Sequence, residues 1–330
     1  MLNELTQIFG VSGREGSLRD FILEKIKVHA DTVSVDPLGN LIAVKKGCGS
    51  NSKKIMVAAH IDEIGFMVTS INEKGFIKVR PIGGISLHVS YANRVMFQNG
   101  VIGAVMTDSN INKITENTID SLYIDIGAKS KEDAQSLVKV GYTANFIGEY
   151  VKLAHNRVMS KSFDNRVGVY VLLECLKRLN KPYNEIYYAF TSQEEVGLRG
   201  AKVATNYIKP DIGIAVDVTT SFDTPNETNG NVILGNGAAL KVMDSYVICD
   251  ETLINILVDT ATRNNIKYQL DVLPSGGTDL GAISISNNGV RTCGISIPIR
   301  YCHTPVSIVD LDDVCACVDL LTLFIDLKFD

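Results

Sequence analysis

At 330 residues the chain exceeds what one compact core usually fills, so length alone predicts two domains or three. Apolar residues make up 45% and charged residues 21%, with eight prolines, which excludes disorder, collagen-like repeats and a membrane-embedded body. The 32 basic against 37 acidic residues give a formal net charge of −5 without a basic stripe, so nucleic acid is not an expected partner, and no apolar run reaches the roughly 18 residues of a membrane span.

Residues 3–30 read as helix, with apolar positions near helical spacing in SLRDFILEKIKVHA. The opening MLNELTQIFGVSGRE lacks the basic and apolar regions of a leader, and seven cysteines, an odd number, fit a reducing compartment; the expected location is the cytoplasm. VSVDPLGNLIAVKKG reads as a hairpin, and KKIMVAAHIDEIG as a strand ending at His60. Because that run is continuously apolar rather than alternating, it predicts a strand buried on both faces.

From residue 67 to residue 161 short β-rich segments are separated by Gly and Asn turns, with one helical stretch in KSKEDAQSLVKV. This predicts a small β-barrel or sandwich inserted into an α/β domain made of residues 1–66 and 162–330. The α/β pattern resumes at SFDNRVGVYVLLECLKRL, a helix opened by Asp164, and continues with the strands EIYYAFTS, DIGIAVDV, KYQLDVL and GVRTCGISIPIR, with helices between them. The expected fold is therefore α/β, a mixed sheet covered by helices on both faces. Cys315 and Cys317 fall on the apolar spacing of the last helix and read as packing residues, as do His29, His88 and His155 in their polar surroundings.

Four apolar strands run into side chains that bind metals: IMVAA into His60, YYAFTS into Gln193-Glu194-Glu195, IGIAV into Asp217 and ISIPIRYC into His303. In open α/β sheets ligands bind beyond the carboxyl ends of the strands, so these residues share one rim if the strands are parallel neighbours. Together with Asp164 they would place three carboxylates and two imidazoles around one crevice with no adjacent Lys or Arg for most of them. Burying such ions uncompensated costs several kcal/mol each, and a pair of divalent metal ions supplies the counter-charge. The nitrogen and oxygen donors suit zinc, cobalt or manganese. Five donors for two ions require one bridging carboxylate, which spacing does not identify. Asp62 stands two residues from His60, placed to accept the imidazole's other N–H. Glu194 and Glu195 are consecutive, so in extended chain one can bind metal while the other serves as general base. Gly276, Gly277, Thr278 and Asp279 form a turn expected to border the substrate or to enter the next helix.

The segments VAAHIDEIGFMV, SKSFDNRVG, TSQEEVGLRGA, IAVDVT, SGGTDLGA and ISIPIRYCHTPVSIVDLDDV resemble the motifs of the cocatalytic metallo-aminopeptidases that assemble into tetrahedral particles. That family includes glutamyl, leucyl and lysyl aminopeptidases, and some members carry an endoglucanase label. The resemblance runs from LTQIFGVSGREG to the C-terminal helix. It implies His60, Asp164 and Asp217 on one metal, with Asp164 bridging to a second held by Glu195 and His303. It also implies Glu194 as general base and acid, Asp62 as the partner of His60, and a β-rich insert that forms dimers within a homododecamer. The implied reaction removes N-terminal residues from short peptides with a free N-terminus, a metal-activated water attacking the scissile carbonyl while Glu194 moves its proton. Asn165 departs from the pattern, since the family often has a second Asp there.

Three other functions compete with this one. A metal-dependent deacylase of the same fold would not require a free amine. An endoglucanase would need two carboxyls facing each other across a sugar, roughly 5–9.5 Å apart, and here the carboxylates are better explained as ligands. A non-catalytic scaffold would have lost Glu194 or a ligand, and all are present.

Overall fold

The computed structural model describes residues 1–108, 120–225 and 230–329. The first segment is two helices, Leu2–Gln7 and Gly16–Ile26, rather than the single helix over 3–30. Apolar spacing continues across the break, but residues 8–15 leave the helix to run beneath the site, where Val11 bridges to Glu63 and Ser12 bonds Asp62. Strands β1 (Thr32–Val35) and β2 (Leu41–Lys45) form the expected hairpin, followed by β3 (Lys54–His60).

In β3 successive side chains point to opposite faces of the sheet. Ile55, Val57 and Ala59 pack into the main core, whereas Met56 and Ala58 pack into a second one. Both sides are therefore covered, which is why the run does not alternate. Burying each large aliphatic side chain in this way contributes roughly 1.5–3 kcal/mol.

After β3 the chain enters a closed barrel of six strands: β4 (Gly65–Ile71), β5 (Ile77–Ile82), β6 (Arg94–Phe97), β7 (Ile102–Thr107), β8 (Leu122–Asp125) and β9 (Thr143–Phe146). Its order is β4-β5-β8-β7-β6-β9, and it has its own core, including Phe66, Val95, Phe97 and Ile124. The helix Lys131–Leu137 is the one expected in KSKEDAQSLVKV.

Strands β10 (Val151–Lys152) and β11 (Arg157–Ser160), which the sequence pattern groups with the insert, extend the large sheet instead. The remaining strands are β12 (Glu185–Thr191), β13 (Ile212–Thr220), β14 (Ala238–Met243), β15 (Tyr268–Val272), β16 (Arg291–Arg300) and β17 (Ser307–Asp310). The sheet order is β1-β2-β12-β3-β13-β16-β17-β11-β10, with β14 on one part of β16 and β15 beyond it. Its centre, β12-β3-β13-β16, is four parallel strands side by side. Helices Phe163–Arg178, Glu251–Arg263 and Leu311–Ile325 share the main core on one face, and Arg199–Ile208 and Leu280–Ser284 cover the other. Cys317 is buried on the last helix and Cys315 is exposed; His88 and His155 are exposed, and His29 is half-buried. Strand β14, between a polar loop and a helix, was not anticipated.

Candidate metal centre and active site

The parallel register brings the strand ends together. Thr191 of β12 lies opposite His60 of β3, and Asp217 sits on β13 beside the same edge of β3. Just past β12 and β16 the chain takes up left-handed conformations at Gln193 and His303, with φ of 56° and 59°. Non-glycine residues adopt such values rarely and mostly where the surroundings over-determine them. Here they turn Glu194, Glu195 and His303 back over the rim. Asp164 comes from the irregular first turn of the helix Phe163–Arg178, where Asp164 and Asn165 depart from helical geometry and their peptide bond is cis.

Asp164 faces both imidazoles, with Oδ1 at 2.9 Å from His60 Nε2 and Oδ2 at 3.1 Å from His303 Nε2. Asp217 Oδ1 and Glu194 Oε2 stand 3.7 and 3.8 Å from His60 Nε2, and Glu195 Oε1 is 3.3 Å from His303 Nε2. All five residues expected as ligands, and Glu194, thus converge. His303 Nδ1 donates to the carbonyl of Gly84 at 2.8 Å, so a loop of the barrel fixes which nitrogen faces Asp164. At Gly83, with φ +79°, a Cβ would lie 2.9 Å from a Glu195 oxygen, so only glycine lets the barrel approach this closely.

The arrangement around Asp62 differs from expectation. His60 Nδ1 is nearer the backbone oxygen of Asp62, at 3.2 Å, than its carboxylate, at 3.5 Å. The carboxylate instead accepts from Ser12 Oγ at 2.6 Å and from the N–H groups of Glu194 and Glu195 at 2.9 and 3.2 Å. Asp62 therefore ties the end of β3 to the loop that carries both glutamates. Asn165 has a task that an aspartate lacks the donor for: its Nδ2 donates to the carbonyl of Val216 at 2.8 Å while its Oδ1 accepts from Gly168. This clamps the helix of Asp164 onto the strand of Asp217.

Several participants were not legible in advance. The Cys302 thiol donates to Asp164 Oδ2 at 3.1 Å, and burial with neighbouring Asp164 pushes it well above the usual thiol range, so it stays protonated. Gly276 and Gly277 do line the cavity, but Thr278 and Asp279 are buried behind it, bonding Asp244 and Thr191.

The electrostatics show an unbalanced cluster. Burial and neighbouring Asp217 and Asp279 push the Glu194 carboxyl well above the usual range, burial does the same to Asp217, and Asp279 is raised to about 6 by burial. Burial opposes charge on His303, yet Glu195 and Asp164 beside it push it up to about 12. His60 is raised well above its ordinary value by Glu194 and Asp217 against the effect of burial. Among the described residues no Lys or Arg lines the cavity, whose volume is about 600 Å³. The donor set thus fits divalent cations: for want of other positive charge the imidazoles and the carboxyls of Glu194, Glu195 and Asp217 hold protons tightly, while the two imidazoles hold Asp164 well below the usual carboxylate range against the effect of burial. Among the described residues, Glu195 Oε1 has no neighbour closer than the 3.3 Å contact to His303 that would satisfy it.

A barrel set against a mixed α/β sheet, with this cluster at the ends of its parallel strands, defines a peptide hydrolase of the aminopeptidase class. The chain belongs to the M42 glutamyl aminopeptidase family, whose pattern matches residues 39–320. A protein of Acetivibrio thermocellus provisionally named an aminopeptidase is 48% identical over 321 residues, which cover 97% of this chain and 96% of that protein. Among solved structures, an aminopeptidase from the archaeon Desulfurococcus kamchatkensis superposes with a TM-score of 0.95 at 37% identity, covering 99% of this chain and 94% of its own. A Pyrococcus horikoshii TET peptidase that can assemble into a tetrahedron or a large octahedral shell superposes at 0.88 with 33% identity, covering 99% and 98%.

Proposed function

We propose that the protein is a dinuclear metal-dependent aminopeptidase that releases N-terminal residues from short peptides with a free N-terminus. The observation that carries this reading is the two-sided disposition of Asp164, one oxygen toward His60 and the other toward His303, in a cluster that no Lys or Arg among the described residues lines. His60, Asp164 and Asp217 would hold one ion; Asp164, Glu195 and His303 would hold the second. Bound there, two divalent ions of zinc, cobalt or manganese supply carbonyl polarisation and a lowered water pKa.

The rest belongs to the chain. Glu194 lies in the same rim without a place among the five ligands, and its raised pKa suits a group that takes a proton from water and returns it to the leaving amine. Asp62 positions it through its backbone N–H, and Gly84 orients His303. His60, Asp217 and Glu195 are buried side chains, so bulk water reaches little of the cluster through them.

The test is hydrolysis of aminoacyl chromogenic amides by the metal-loaded protein, with chelator, metal add-back and N-acetylated substrates as arms. Activity is expected to vanish with chelator and with the blocked amine. Cleavage of N-acetylated substrates at comparable rates would point to a deacylase and overturn the reading.

The assembly belongs to the same proposal: a homo-oligomer, a tetrahedral dodecamer built from dimers that pair through the barrel. It is supported by the similarity to the particle-forming peptidase and is tested by light scattering, where a monomer mass would refute it. A cytoplasmic location is supported by seven cysteines that are all unpaired. Among the described residues no helix is long and apolar enough to cross a membrane.

A further inference from the structure

The wall of the cavity away from the cluster says which side chains the enzyme accepts. Every charged residue lining the cavity, among those described, belongs to the ligand cluster or is Glu194; the remaining wall is neutral. It is formed by Val218 and Thr220 at the end of β13, by Leu273 just past β15, and by Tyr246, whose ring lies against Gly277 at the rim. Leu273 and Val218, each with only 8% of its surface exposed, give this wall its apolar surface beside the uncharged hydroxyls of Thr219, Thr220 and Ser275.

Two basic side chains stand behind the wall, and both are already committed. Lys241 is fully buried beneath it, with Nζ donating to Thr219 Oγ1 at 3.1 Å and paired with Asp271 at 2.5 Å. Arg300, adjacent to the β16 partner of Thr220, forks onto Asp223 with bonds of 2.8 and 2.5 Å. Neither guanidinium nor ammonium is free to receive a substrate carboxylate, and among the described residues no carboxylate outside the cluster lines this wall to await a substrate ammonium. A charged side chain entering here would lose its hydration without gaining a partner.

Resting on the aminopeptidase reading, we propose that the N-terminal residue this enzyme accepts is neutral and apolar, of the leucine or methionine class, rather than acidic or basic. A single mismatched group in a hydrophobic pocket already shifts selectivity by about tenfold or more, and an unpaired charge shifts it further.

The experiment measures kcat/KM of the full-length, metal-loaded, assembled protein for the p-nitroanilides of Leu, Met, Glu and Lys, with N-acetyl-Leu-p-nitroanilide alongside. Leu or Met is expected to exceed both Glu and Lys by about tenfold or more. Glu or Lys cleaved as fast as Leu overturns the specificity inference while leaving the aminopeptidase reading intact. Failure of all four free amides, or cleavage of the acetylated one, overturns the reading itself. In a second arm, Thr220→Lys, at an exposed position of the wall, is expected to raise the Glu-to-Leu ratio about tenfold; an unmoved ratio places the selecting wall elsewhere and refutes the assignment.

Discussion

Two buried charge clusters lie within a few residues of each other and have opposite chemistries. At the rim of the sheet, His60, Asp164, Glu194, Glu195 and Asp217 crowd together with His303 and, among the described residues, with no Lys or Arg. At the junction of sheet and barrel, Glu63 is equally buried but fully answered: Lys161 Nζ lies 2.7 Å from one oxygen, Arg166 Nη2 3.3 Å from the other, and Asn145 of the barrel and the N–H of Gly10 donate at 2.9 and 3.1 Å. Ser162 Oγ also donates to it. Burial opposes charge on Glu63, but Lys161 and Arg166 hold it below the usual carboxylate range, the reverse of the effect on Glu194. A buried charge balanced within the chain holds parts of the fold together. One left unbalanced by the chain is open to a ligand.

That contrast can be broken experimentally. The largest effect is expected from Glu194→Gln, which should lower kcat by about 10²–10⁴-fold with metal content unchanged by elemental analysis. Loss of metal in this variant would show that Glu194 is a ligand rather than a base. At the junction, Glu63→Gln leaves two buried cations without their counter-charge and should destabilise the fold by about 3–5 kcal/mol in denaturant unfolding. A milder loss would mean that Lys161 and Arg166 find other partners.

Asp62→Asn weakens an orienting contact, and an activity loss of about 10–100-fold is expected. An unchanged rate would show that the Glu194 loop holds its shape without that carboxylate. Smallest is the pH effect at Glu63. Its folded pKa is depressed from 4.5, so its contribution is fully present above that value and is lost as pH falls through the lower, folded one. The stability gap between wild type and Glu63→Gln should therefore narrow as pH drops below about 4.5; a gap that widened would contradict the sign.

Four of the five proposed ligands were legible because each ends or follows an apolar run, Asp164 because it opens a helix, and the doubly covered strand could be read from its missing alternation. What held them in place was not. The bonds Ser12–Asp62, Cys302–Asp164 and His303–Gly84 each join residues 50 or more positions apart, through contacts that no local pattern encodes. Glu63 looked like one more residue of a motif, since its partners Lys161 and Arg166 are separated from it by the whole barrel. The strands at 151–160 carry the short, turn-bounded texture of the insert, yet their partner β17 lies at the other end of the chain. The single helix expected over 3–30 failed for a related reason, because residues 8–15 are shaped by what they touch in the site.

The hydrogen bond from His303 to Gly84 bears on how this enzyme can be re-engineered. A barrel that interrupts an α/β domain invites treatment as a cassette, to be deleted for a smaller catalyst or exchanged for another. Here the cassette carries the acceptor that aims a catalytic-site imidazole and the two glycines that let it come near. A trimmed enzyme would have to be given a replacement carbonyl in the same place, and any donor barrel would have to keep that loop.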